Sequence, residues 1–258
     1  MANISTIDGI AIASVENVDV YAKSAISNIN GYAIPSSGAN VDVEYTFNSQ
    51  TTQETAGSDW SPSGDAGDWV NGADAVSTTF WGQPEDTNDT VKGWNCGQGG
   101  TSSGGTGPNG GVDTSDGSHN TSERYLYTEA SSNQSLKCFV TRMPGSNFSA
   151  VMTSTGNDLD LKFWVHAFGT AGTLPDLFVY IDTNTSSNHG TATLLQTFLG
   201  NDLDNDYTGN SSVWKLKTVS LNSYRTVDAV HYIYFVAQGG SGFRSDLAID
   251  NVIIDEDA

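Results

Sequence analysis

The sequence predicts an all-β chain: two antiparallel sheets packed face to face, preceded by a short extended segment. Composition is the first reason. Of 258 residues, 37% are hydrophobic and only 16% charged, with 28 Gly and much of the rest Ser, Thr, Asn and Asp. Helix surfaces need Glu, Lys, Arg and Ala, whereas this mixture suits short strands joined by turn-rich loops. The second reason is alternation. Val41 to Asn48 reads Val-Asp-Val-Glu-Tyr-Thr-Phe-Asn, apolar and polar in turn, as a half-buried strand does. Similar segments lie at 75–82, 124–131, 135–143, 149–154, 160–168, 176–182, 191–199, 213–221, 230–237 and 247–254. The third reason is the pair of turn signals at the amino end.

There, Ile4-Ser5-Thr6-Ile7-Asp8-Gly9 is echoed by Ile26-Ser27-Asn28-Ile29-Asn30-Gly31, each followed by an apolar stretch. Asp-Gly and Asn-Gly between β-branched residues are strong hairpin signals. Residues 1–38 are too short to bury a core of their own, so the expectation is a docking segment, with Ile4, Ile7, Ile26 and Ile29 as its contacts. Residues 39–258 then form the sandwich. The competing account is an ordinary strand pair inside that sandwich.

Lys and Arg total 10 against 30 Asp and Glu, a formal charge of -20. A surface this negative repels phosphate backbones and anionic lipid heads, so neither nucleic acid nor membrane insertion is expected. No apolar run reaches transmembrane length, and the first residues lack the basic and apolar regions of a secretory signal. Acidic clusters invite Ca2+, which takes oxygen ligands; alternatively the charge only maintains solubility. Two cysteines, Cys96 and Cys138, are too few for a disulfide-built scaffold, and the sequence leaves their pairing open. Residues 95–122 form a Gly- and Ser-rich stretch whose only large aliphatic is Val112, and the expectation is a surface loop.

Several phrases along the chain carry a family resemblance. They are Gly107-Pro108-Asn109-Gly110-Gly111-Val112-Asp113-Thr114, Tyr127-Thr128-Glu129-Ala130-Ser131, Phe163-Trp164-Val165-His166-Ala167-Phe168-Gly169, Trp214, and Asp246-Leu247-Ala248-Ile249-Asp250-Asn251. In order and spacing they resemble the MAM domain, an adhesive jelly roll of cell-surface receptors and some proteases. The resemblance spans about residues 41–255. It implies a jelly-roll sandwich of MAM or concanavalin-like form. The family's cysteine pattern does not carry over: Cys96 beside Trp94 resembles one early member, and Cys138 has no counterpart. The family's Phe-Glu on the first strand stands here as Phe47-Asn48, and the insert around 50–93 is unlike a minimal member. The repeated amino-terminal phrase in turn resembles the leaders of tailed-bacteriophage virion proteins.

For some members the MAM resemblance implies a bound cation. Asp246 and Asp250 are an even number apart and share a strand face, so with Asp113 from the loop they are candidate Ca2+ ligands. Glu44 or Asn48 on the first strand would add an oxygen. The competing account gives Asp250 a turn cap and Asp113 an Asx-turn. Asp202 to Gly209 has the Asp-x-Asp-x-Asp spacing of a calcium loop, but Tyr207 and Val213 stand where an EF-hand needs Gly and Glu. Trp60, Trp69, Trp81 and Trp94 crowd among Asp and Asn, the residue types of a sugar-binding face; the competing account has them closing one end of the sandwich. Phe163 and Trp164 alternate, one facing the core and one away.

No nucleophile elbow, phosphate-binding loop, His metal pair or Glu-x-Asp-x-x-Glu strand occurs. The expectation is therefore a non-enzymatic virion protein of a tailed phage: a tail, fibre, neck or capsid decoration assembled in the host cytoplasm. It would dock on other virion proteins through its leader as a homo-oligomer and present the jelly roll to a host-surface glycan or receptor. A bacterial carbohydrate-binding module is the alternative, and a glycan-cleaving enzyme the third reading.

Overall fold

A computed structural model describes residues 6–7, 10–11, 28–29, 32–33, 43–52, 60–62, 69–72, 75, 91–101, 106–130, 138–151, 158–168, 174–185, 191–203, 213–240 and 245–257. At the amino end, β1 (Thr6–Ile7) pairs with β2 (Ile10–Ala11), and β3 (Asn28–Ile29) with β4 (Tyr32–Ala33). Ile7 opposite Ile10 brackets Asp8-Gly9, and Ile29 opposite Tyr32 brackets Asn30-Gly31. Both turn signals thus sit where two-residue hairpin loops belong. Each hairpin is its own two-stranded sheet. Ile4 and Ile26 lie outside the described residues.

The remaining strands are β5 (Val43–Tyr45), β6 (Val70–Asn71), β7 (Asn95–Gln98), β8 (Gly111–Val112), β9 (His119–Asn120), β10 (Arg124–Tyr127), β11 (Cys138–Arg142), β12 (Asp158–Phe168), β13 (Asp176–Asp182), β14 (Thr193–Phe198), β15 (Lys215–Ser220), β16 (Tyr232–Gln238) and β17 (Asp246–Asp257). A six-stranded sheet runs β15-β12-β17-β10-β7, with β5 also on β17; a five-stranded sheet runs β14-β13-β16-β11-β6. Every pairing between strands of these sheets is antiparallel. The result is the expected jelly-roll sandwich. Segment 149–154 differs from expectation: Phe148–Val151 is a single helical turn, anchored by the buried Phe148 ring stacked on His231.

Period-2 alternation builds the core. Leu159, Leu161, Phe163 and Val165 of β12 meet Leu177, Val179 and Ile181 of β13 and Ile233, Phe235 and Ala237 of β16. Trp60, Trp69 and Trp94 belong to this core, at 2%, 2% and 0% exposure. Phe47 meets Trp60 and Trp69 edge-on, and Trp69 stacks on Phe235. These three rings close the sandwich and offer no sugar-binding face; burying 150–250 Å2 apiece contributes more here than display would. Trp81 lies outside the described residues, as does most of the 202–209 acidic loop.

The Gly-rich stretch departs furthest from its expectation. Its first residues are β7, and its later part lies across the outer side of the six-stranded sheet, with Thr101, Thr106, Gly107, Pro108 and Gly110 buried. Beneath it Tyr125, Tyr127 and Trp214 are 0–1% exposed. Their polar ends satisfy the loop backbone: the Tyr125 hydroxyl donates to Gly99 O (2.9 Å) and Trp214 Nε1 to Gly110 O (3.2 Å). Glycine matters at Gly110, where φ is +136° and a Cβ would come within 2.5 Å of Asn120 O. Cys96 lies in the main core and Cys138 on the far side of the five-stranded sheet, both as buried thiols outside any disulfide.

Candidate functional site

Where β5, the β8–β9 hairpin and β17 meet, a cleft of about 160 Å3 is lined by Glu44, Thr46, Asn48, Val112, Thr114, Glu123, Asp250 and Asn251. Three of the five residues expected to bind a cation therefore converge: Glu44, Asn48 and Asp250. The other two do not join them. Asp113 sits beside the cleft in the chain, but its carboxylate accepts from Ser115 N (3.0 Å) and Ser115 Oγ (2.6 Å), forming the Asx-turn. Those bonds hold its carboxyl below the usual range. Asp246 shares the outer strand face with Asp250, as expected, yet four residues of extended chain separate them by about 13 Å. It faces a different polar group, Glu129 and Ala130, whose N–H it accepts at 2.8 Å. A shared face is not a shared site.

Backbone irregularity assembles the cleft. Between Lys162 and Trp164 on β12 and Asp250 and Ile253 on β17 the register shifts by one residue. This bulge explains why Leu247 and Ile249 face the core before it and Val252 and Ile254 after it. Asn251 takes a left-handed conformation there (φ 43°), so two successive residues, Asp250 and Asn251, line one cleft where a regular strand would send them to opposite faces. The Asn251 amide donates to Glu44. On the other wall Phe47 is also left-handed (φ 58°), immediately before Asn48. Among the described residues these are the non-glycine positions with positive φ, and both adjoin the cleft. Such conformations cost about 1–3 kcal/mol and cluster at sites whose surroundings enforce them.

The hydrogen bonds bind the walls together. Asn48 Oδ1 accepts from Arg124 N (2.8 Å) while its amide donates to Glu123, whose other oxygen accepts from Asn120 Nδ2 (3.3 Å). The Arg124 guanidinium donates to Asn48 O (2.6 Å). Asp250, 2% exposed, accepts from Val112 N (2.8 Å) and Asn251 N (2.7 Å). Burial raises its carboxyl well above the ordinary value, and the nearby Glu123 charge adds to the rise. Gly111 packs closely against two of the lining acids: a Cβ there would lie 2.6 Å from Glu123 Cβ and 2.7 Å from Asp250 Oδ2. Glu123, Thr46 and Thr114 were not singled out in the sequence. Nothing local marks them, because they arrive from three separate segments.

The donor set suits a hard cation. Three carboxylates, two amides and two hydroxyls line the cleft, with no sulfur or imidazole. The buried Asp250 carboxylate, disfavoured as an anion, is the group that a bound cation would relieve. No group of three or more His, Cys, Asp or Glu side chains among the described residues has metal-binding geometry. The set is therefore one in which amide and hydroxyl oxygens would share the ligation.

No family model matches the sequence, and no curated protein matches it. Solved structures do show likeness. The K1 cleaved adhesin domain of Lys-gingipain from Porphyromonas gingivalis W83 is similar over 84% of this chain and 99% of its own, at 12% identity and a TM-score of 0.42. A cyclase from Fischerella sp. TAU is similar over 72% and 83%, at 13% identity and 0.37. The module TmCBM61, solved with beta-1,4-galactotriose, is similar over 71% and 99%, at 11% identity and 0.31.

Proposed function

We propose that this chain is a non-catalytic attachment module, a glycan-binding sandwich whose cleft is braced by a hard cation, with Ca2+ the best-suited ion. The observation that carries this reading is the commitment of the cleft's acids. Glu44, Glu123 and Asp250 each accept amide N–H bonds from the opposing wall. That arrangement holds segments together; general acid–base chemistry instead needs a carboxyl directed at a substrate. Because no three acidic side chains among the described residues have metal-binding geometry, a cation would take at most two of Glu44, Glu123 and Asp250 together with the oxygens of Asn48, Thr46 or Thr114, and would supply positive charge between β5, β8 and β17. The MAM resemblance, to an adhesive family, supports the same reading.

The test has two arms. The purified chain is retained on immobilised neutral polysaccharide and releases no reducing ends from it; release of reducing ends, or no retention by any glycan, overturns the reading. Adding Ca2+ after EDTA raises the melting temperature, by about 5–10 °C at a hundredfold excess over Kd. An unchanged melt removes the cation from the reading.

A second reading, attachment to a tailed-phage particle through residues 1–38, is favoured by one observation: among the described residues, each amino-terminal hairpin forms a two-stranded sheet separate from the two large ones. Deleting 1–38 then leaves a folded domain that no longer joins particles. An unfolded product makes the leader part of the sandwich.

A further inference from the structure

We infer that the half-buried row Phe178, Tyr180 and Tyr232 on the outer side of the five-stranded sheet is where this module takes its glycan, and that the ligand is a neutral polysaccharide chain. The inference rests on the glycan reading above and gives it a surface.

Alternation along β13 sends Leu177, Val179 and Ile181 into the core and leaves Asp176, Phe178, Tyr180 and Asp182 half-buried on the outside. Across the register, Gln238 stands opposite Asp176, Val236 opposite Phe178, Tyr234 opposite Tyr180 and Tyr232 opposite Asp182. The Phe178 and Tyr180 ring centroids are 6.5 Å apart and tilted by 36°. Tyr232 lies diagonally across from Tyr180, a spacing of about 7 Å in an antiparallel pair. Three partly exposed rings therefore form a row on regular strands.

The row is rigidly supported. On the same face Tyr234, Val236 and Val140 are buried at 0%, 3% and 0% exposure together with Ala75 and Val91, and the three rings pack against the side of that cluster. The Tyr234 hydroxyl donates to Asn184 O, and the Arg142 guanidinium covers one side of Tyr232 at 4.9 Å. Asp176 accepts from Gly200 N (2.7 Å) and Asp182 from Thr183 N (2.6 Å), which fixes both carboxylates at the margins. Preset side chains lose little conformational entropy on binding.

The chemistry selects the ligand. A pyranose ring has apolar C–H faces and a rim of hydroxyls. Aromatic rings cover the first, while Asp and Gln side chains accept from and donate to the second. Two marginal carboxylates on a chain of net charge -20 repel sulfated and uronic polymers, leaving neutral ones.

Titration calorimetry on the full chain tests this, with xylan, β-1,4-galactan and starch fragments as neutral probes and polygalacturonate as the anionic one. At least one neutral probe binds and polygalacturonate does not. Phe178→Ala and Tyr180→Ala each weaken binding about tenfold. Tyr180→Phe, which keeps the ring, stays within about twofold, as does Leu216→Ser on the other sheet. Melting curves monitor folding, and Phe178→Leu replaces Phe178→Ala if the latter unfolds. Equal binding by the folded ring variants overturns the surface while leaving the module reading intact. Failure of every neutral probe overturns both, and preference for polygalacturonate overturns the ligand class.

Discussion

The two sheets cover their outer faces to different extents. On the six-stranded sheet the outer face is roofed by the Gly-rich segment and holds Tyr125, Tyr127, Trp214, Asp246 and Asp250 in near-complete burial. On the five-stranded sheet a second buried cluster, Ala75, Val91, Val140, Tyr234 and Val236, covers part of the outer face, and Phe178, Tyr180 and Tyr232 remain half-buried beside it, leaving the more open face of the two. The roofed face confines charge: Asp246 is pushed up to about 7 by burial, with the facing Glu129 adding to the rise, and Asp250 rises for the same first reason. The open face keeps its acids at the margins, where water screens them. Burying carboxylates costs stability unless a proton or cation joins them, so the roofed face is the one that responds to pH, and the one on which the proposed cation would act.

Trp214 anchors the roofed face most strongly. Replacing this 1%-exposed ring by Ala removes the Gly110 bond and the Tyr125 contact, and costs about 3–5 kcal/mol by chemical denaturation. Tyr232→Ala on the open face costs about 1 kcal/mol or less. Equal losses would erase the distinction between the faces.

Acidity gives the next effect. The folded Asp246 carboxyl titrates near 7 against an ordinary value of 3.8, so between these limits the native state binds more protons than the unfolded one. Stability therefore falls as pH rises from about 4 to about 7, by several kcal/mol at most. Asp246→Asn, which still accepts from Ala130, flattens that slope in metal-free buffer. A wild-type and a variant with parallel profiles would place the pH response elsewhere.

Gly111→Ala drives a methyl group against Glu123 and Asp250 and costs about 1–3 kcal/mol. It also abolishes any Ca2+-induced rise in melting temperature, whereas glycan affinity at the open face changes little. Smallest of all is Lys162→Ala, which removes a part-exposed ion pair to Asp255 (2.8 Å) for less than about 1 kcal/mol. A larger loss would show that this pair between the neighbouring strands β12 and β17 is more than a solvated ion pair.

Much of the fold was legible because alternation is a local signal. β12, β13, β15 and β17 fall within a few residues of their expected spans, and Phe163 and Trp164 face opposite ways as their spacing requires. The hairpin turns were legible for the same reason. Less of the site was. Glu44, Asn48 and Asp250 were found, but Glu123 and Thr114 were not, and Asp113 and Asp246 were assigned to a cleft they do not line. Parity along a strand gives the face of a residue but not its distance from another.

Sequence alone determined which residues alternate and where the chain reverses, since both follow from neighbours within a few positions, and that charge would be overwhelmingly negative, since that is a sum over composition. Tertiary structure alone decided that the Gly-rich segment roofs a sheet, that the tryptophans lie inside, and that one bulge at Asn251 brings successive residues into a single cleft. Those outcomes depend on segments more than a hundred residues apart meeting in space, and on buried polar groups finding partners there, which no local pattern encodes.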